Sequence, residues 1–255
     1  MRPDPYAWSL DPDGLAIGAA LLLLYSAGCR LAPPPRWRVG CFAAGVALVL
    51  GTHLTPLASL SNHYLLSAHL LQNVVLAEWA PALCVLGIAP ELAERLGRIR
   101  AVRMLTHPLV ALPLWLGSYF AWHFPWLYDA ALHHQQSLLH VEHAFYFNTG
   151  CLLWWSVLHD EPHRLSWGVR AVYVFGAFVF VSPLGLLLSL LPKAVYDFYA
   201  DAPRLWGLTA TSDQQIAGVT MVAEEAVVFF AVSAFAFSRF LRHEEAVGLL
   251  TSSSR

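Results

Sequence analysis

The sequence predicts an all-α integral membrane protein: a bundle of seven transmembrane helices, N-terminus outside and C-terminus in the cytoplasm. Three observations lead there. First, the 255 residues are 57% hydrophobic and only 13% charged, with ten tryptophans, whereas a soluble domain carries roughly 25% charge. Second, the mean hydropathy of +0.53 is concentrated in apolar runs, each near the ~20 residues that cross a hydrocarbon core. Third, Lys and Arg alternate between the two sets of connecting loops. The whole of 1–255 reads as a single polytopic domain, with a flexible lead over 1–13 and a cytoplasmic tail over 243–255.

In chain order, the polar lead carries Pro3, Pro5 and Pro12. The first apolar run, Gly14–Cys29, follows Asp4, Asp11 and Asp13. That is the wrong sign for the basic region of a cleavable signal, so the run is expected to stay as a first span. At sixteen residues it is short and would thin the bilayer or extend past its own ends. The remaining runs are Trp37–Leu57, Tyr64–Leu86, Pro108–Tyr128, Leu138–Leu158, Ala171–Leu191 and Gln214–Phe237. Cys29, Cys41, Cys84 and Cys151 sit in or beside apolar runs without CxxC spacing. They read as small hydrophobes rather than a disulfide framework or thiolate site. A net charge of −2 gives no support to a nucleic-acid partner.

The loops at 30–38, 89–107 and 159–170, with the C-terminal end, hold twelve Lys and Arg; the N-terminus and the loops at 58–63, 129–137 and 192–213 hold three. The positive-inside rule sets the orientation from that bias, and it fits an odd number of spans. Eight of the twelve histidines then fall on the outer side: His53, His63, His69, His123, His133, His134, His140 and His143.

His140 and His143 lie one turn apart on the same face of the fifth run. His69, Gln72, Asn73 and Leu76 form one stripe on the third. His123 ends the fourth run among the interfacial aromatics Trp122, Phe124 and Trp126. Three runs thus bring His69, His123, His140 and His143 to a similar depth, and neutral imidazole suits copper, zinc, iron or nickel. His53 and His63, each alone at a helix end, read as interfacial residues or helix–helix hydrogen bonds, and His133 and His134 as solvated. HVEH is not HExxH: Glu142 is turned ~100° from His143 and ~200° from His140, toward a neighbouring helix or the outer loop.

Acids within spans are costly and normally mark function. Glu78 lies ~13 Å below His69 and on the opposite side of its helix, in a different site. Glu224 and Glu225 fall in the last run, where Gln214, Gly218, Met221 and Glu225 share a stripe. Met221 is too deep to join the outer imidazoles. Glu78, Glu224 and Glu225 are candidates for an ion path.

His69-x-x-Gln72, Ala80-Pro81, Leu86-Gly87-x-x-Pro90, Thr106-His107-Pro108, Trp122-His123-x-Pro125-x-Leu127-Tyr128-Asp129, His140-x-Glu142-His143 and Asp213-Gln214-Gln215-x-Ala217-Gly218-x-x-Met221 appear in that order. Together they resemble the multi-spanning CtaG-type cytochrome c oxidase assembly factors of bacteria, from about His69 to Met221. The resemblance implies a bacterial plasma-membrane protein that helps haem-copper oxidase acquire copper. Its partners would be oxidase subunits, the lipid bilayer and a copper carrier. His69, His123, His140, His143 and Asp213 fit the pattern. Asn73 stands where it leads to a second histidine, and Glu224-Glu225 where it leads to apolar or small residues.

Two other readings compete. A metal or proton-coupled transporter would use the span acids. A haem-binding electron carrier would use two imidazoles on facing helices. Hydrolase chemistry finds no nucleophile–base arrangement or phosphate loop here, so no enzyme is expected. In the copper reading Gln72 and Asp213 would fix imidazole rings through their second nitrogens.

Overall fold

A computed structural model describes residues 3–253, with side chains through Ala246. Met1, Arg2 and the last residues of the expected cytoplasmic tail lie outside the described residues. Among these the chain is helical, with no strand. The long helices are α1 (Pro12–Leu31), α2 (Arg36–Leu54), α8 (Pro108–Trp122), α10 (Leu138–Leu158), α11 (Trp167–Leu190) and α13 (Ala210–Ser253). The third run is one helix in three parts: α4 (Leu66–Val74), a π turn (Val75–Trp79) and α5 (Ala80–Gly87). Between them lie short helices: α3 (Pro56–His63), α6 (Pro90–Gly97), α7 (Arg100–Leu105), α9 (Pro125–His133) and α12 (Asp197–Ala200).

Five of these are long and apolar enough to cross a membrane: α1, α2, Leu66–Gly87, α11 and the Ala210–Ala246 part of α13. The other two expected spans fall short for different reasons. The fourth run, expected over Pro108–Tyr128, stops at Trp122, leaving a 15-residue helix. Phe124 precedes Pro125 and is extended, because a proline ring disfavours the helical conformation in the residue before it. Thr55 before Pro56 ends α2 three residues short of the expected Leu57 in the same way. α10 has 21 residues, but His140, Glu142, His143 and Asn148 lower its hydropathy. The first helix is longer than expected, at 20 residues. Asp11 caps it, accepting from the amides of Asp13 and Gly14, and Pro12 sits in its first turn, where the missing N–H costs nothing.

Leu66–Gly87 is the central element: 72% of its span is buried, against 17% for α1. It packs on α2, α10 and α13. Two close approaches fix its surroundings. A Cβ on Gly150 of α10 would stand 2.1 Å from the carbonyl oxygen of Ala77, so only glycine lets α10 reach the π turn. A Cβ on Gly14 would stand 2.5 Å from the Cβ of His53. Gly14 and Gly18, one turn apart, therefore let α1 lie on α2 by the small-residue packing used between membrane helices.

The loops expected outside meet one another at one end. The Tyr64 hydroxyl donates to the Pro3 carbonyl, Ser59 to the Asp4 carbonyl, Tyr199 to the Ser61 carbonyl and Gln135 to the Asn62 carbonyl. At the other end Arg38 donates to the carbonyls of Leu86 and Ile88, and Ser156 to that of Thr106. The lead, expected to be flexible, is thus tied to α3 and the start of α4 by Pro3 and Asp4.

Candidate functional site

The N-terminal end of α4 has no side-chain cap of its own. Asp213, reaching across from α13, accepts from the amides of Leu66 (2.7 Å) and Ser67 (3.2 Å) and from the Ser67 hydroxyl (2.5 Å). A carboxylate at orphan helix amides is favoured both by hydrogen bonding and by the helix dipole. Asp213 therefore anchors the helix that carries His69 and touches no imidazole itself.

His69 is fully buried. Its Nε2 lies 3.5 Å from Glu142 Oε1, the oxygen that also accepts from Asn73 Nδ2 at 3.0 Å. Glu142 thus meets a neighbouring helix, as its rotation on α10 led us to expect. Asn73, the departure from the family pattern, supplies a donor there in place of an imidazole. His69 Nδ1 has no partner. The ring lies 6.3 Å from that of His143 and 5.1 Å from that of Tyr128, centroid to centroid.

His143 is buried, and neither of its ring nitrogens has a partner. Its nearest imidazole is His53, at 5.6 Å between centroids. The sequence placed His53 at the interface as a single residue; the structure puts it beside His143. Its Nδ1 pairs with the Val49 carbonyl at 2.9 Å and the Thr52 hydroxyl at 3.0 Å, leaving Nε2 unpartnered and buried. Gln72 donates to the Thr52 carbonyl at 2.8 Å, so it holds the backbone next to His53 rather than a ring. The signal that could have found His53 is its position just before the Pro56 break, at the same end of the bundle as His69.

His140 and His143 separate slightly. His140 is half-buried, with Nε2 3.8 Å from Asp13 Oδ2. His53, His140 and His143 line one cavity of about 600 Å³, together with Asp11, Asp13 and Gln72. His69 and His123 do not line it. His123 pairs through Nδ1 with the Tyr119 carbonyl at 2.8 Å, and its buried Nε2 has no partner. Its ring stands 5.8 Å from Tyr128. The four expected ligands therefore do not form one set: two line the cavity, one lies behind it and one is held beyond Tyr128. Among the described residues no three His, Cys, Asp or Glu side chains are grouped closely enough to hold a metal ion. His133 and His134 are exposed, as a solvated reading expects.

The acids form a second region. Glu78 lies on the π turn, fully buried, and accepts from the Tyr119 hydroxyl at 2.7 Å. π turns recur at functional sites. Glu224 accepts from the Trp79 indole N–H. Glu225 is fully buried, and neither of its oxygens has a partner. The three carboxyl groups are near enough to act on one another electrostatically. Among the described residues the one buried Lys or Arg is Arg170, which bonds Asp160 and the Val157 carbonyl.

The profile of the cytochrome c oxidase caa3 assembly factor (Caa3_CtaG) family matches residues 20–243. The chain belongs to that family. For this assembly factor the family description implies cytochrome c oxidase as partner. No curated protein and no solved structure matches the chain. The match reaches back into α1 and forward past Glu224-Glu225, so both departures from the expected pattern lie within it.

Proposed function

We propose that this assembly factor takes up copper at the outer end of its helix bundle and passes it to the oxidase, without catalysing a reaction itself. One observation carries the reading. Buried imidazole nitrogens without partners converge there: His53 Nε2, both nitrogens of His143 and His69 Nδ1. A buried polar atom left unpaired costs about 1–3 kcal/mol, and a bound metal removes that cost. The donors suit the cargo. Two metal-bound imidazoles place their ring centroids roughly 5–6 Å apart for metal–nitrogen bonds of about 2 Å. The His53–His143 and His69–His143 spacings of 5.6 and 6.3 Å need little adjustment to meet it. The Val49 carbonyl, by accepting from Nδ1–H of His53, leaves the Nε2 lone pair free for a metal, the usual arrangement for a metal-ligating histidine.

In this proposal His53 and His143 hold copper. His69 and His140 complete the set from either side, and His123, with Nε2 free, receives or relays the ion. The proposal includes seven spans with the N-terminus outside, which would put all five imidazoles on the outer face of a bacterial plasma membrane. The test is the copper content of oxidase from cells carrying His53→Ala with His143→Ala in a protein that inserts normally. Oxidase lacking copper supports the proposal. Oxidase with its full copper removes it. Visible absorption of the same purified protein separates a haem site from a copper site.

A second reading rests on Glu78, Glu224 and Glu225. Three carboxyl groups without a buried cation beside them would, in a membrane, carry protons or a bound cation, and so form an ion path. Metal uptake into proteoliposomes, lost in the Glu224→Gln, Glu225→Gln variant, would support it. Unchanged oxidase levels in that variant would remove it.

A further inference from the structure

We propose that the cleft between α1, α2 and α10 binds the head of a lipid-soluble quinone or hydroquinone. The cleft has a volume of about 270 Å³, and Leu21, Val49, Leu76 and Phe147 line it along with His53, His140 and His143. Those three imidazoles also line the polar outer cavity. The same side chains thus form the floor of a polar cavity and the roof of an apolar cleft. A ligand fitting both halves has a polar head and an apolar tail.

The chemistry of the lining narrows the head. No Lys or Arg lines either cavity, and Asp11 and Asp13 line the polar one. An anionic headgroup would meet negative charge and no counter-charge. The groups on offer are imidazoles, and His53 Nε2 and both His143 nitrogens are buried without partners. An imidazole N–H donates to a quinone carbonyl, and an imidazole nitrogen accepts from a hydroquinone hydroxyl. The size agrees. An apolar cavity of about 150 Å³ takes a benzene ring, so this cleft has room for a six-membered ring and the first part of a tail. Leu24, on the wall, is 72% exposed, and a longer tail leaves past it into lipid. α1 is the least buried of the span-length helices, so the wall it forms is the one able to part.

The inference is independent of the copper reading. Copper approaches the imidazoles from the polar cavity and the ring from the cleft, so the two are separable by filling the cleft alone. Ala20 of α1 and Ala144 of α10 line the cleft and not the outer cavity, and neither carries a polar side chain. Purified protein in nanodiscs of zwitterionic lipid is titrated with decyl-benzoquinone, following quenching of tryptophan fluorescence. One saturable site per chain is expected. Ala144→Phe and, separately, Ala20→Trp should each weaken it about tenfold or more by occupying the cleft, with copper stoichiometry unchanged. Absence of saturable binding overturns the proposal, as does binding unaffected by both substitutions. Displacement of the quinone by diacylglycerol or phosphatidylglycerol at equal concentration overturns the choice of ligand. Failure of the parent protein to bind copper while it binds quinone as expected would instead count against the proposed function alone.

Discussion

The imidazoles near the Pro56 end of the bundle and the carboxyl groups around the π turn are both largely buried polar groups, yet they are built in opposite ways. Among the imidazoles, His53, His69 and His123 are each positioned through one nitrogen and left open at the other, while His143 has a partner at neither. The Val49 carbonyl holds His53, the Tyr119 carbonyl holds His123, and Glu142 faces His69. Around the π turn the acids take one donor each from Tyr119 and Trp79, and Glu225 takes none. A neutral ring with an unpaired nitrogen costs far less to bury than an ion, and its lone pair is ready for a metal. A carboxyl group far from any cation is expensive to bury in its charged form. On the proposed reading, the imidazole region is the one suited to reversible metal exchange.

Substitutions can break that contrast, and the largest effect is expected at His143. His143→Ala removes the ring that adjoins both His53 and His69, and copper affinity should fall by at least ~100-fold, beyond the ~10–100-fold typical of losing a supporting partner. Equilibrium dialysis checks it. Glu142→Gln comes next. It keeps a side chain of the same shape against His69 and Asn73 but removes the charge, and should weaken copper by about tenfold, read in the same assay. A loss as large as that of His143→Ala would make Glu142 a ligand in its own right.

Asp213→Ala should act on stability rather than on the ligands. It uncaps α4, a loss typically of ~1 kcal/mol, seen as a lower unfolding midpoint in detergent with copper stoichiometry retained. The smallest effect is expected for Glu225→Gln. The acid lies in the other region, so copper affinity should stay within about threefold of the parent, far below the ~10–100-fold cost of a supporting group. A larger loss would show that the two regions are coupled, through the Tyr119 side chain that bonds Glu78 and the Tyr119 carbonyl that holds His123.

Much of this was legible in the sequence, and what was not has physical causes. Hydropathy located every long helix, because apolar runs are a property of the segment alone. The ends moved where proline intervened: Pro56 and Pro125 break helices that hydropathy runs through. The stripe His69–Gln72–Asn73 and the rotation of Glu142 followed from helical periodicity, and the structure places Glu142 against that stripe. Which histidines converge was not legible. Periodicity fixes neighbours on one helix, while His53 on α2 meets His143 on α10 across the space between two helices. Asp213 likewise looked like a partner for a ring; its place depends on where α13 begins relative to α4, which no local pattern encodes.

The most direct measurement of the central claim is copper binding by the purified protein and by two variants that insert normally: His53→Ala with His143→Ala, and Glu224→Gln with Glu225→Gln. The account requires that the parent and the glutamine variant retain copper and the alanine variant lose it. Copper retained by the alanine variant as in the parent would contradict it.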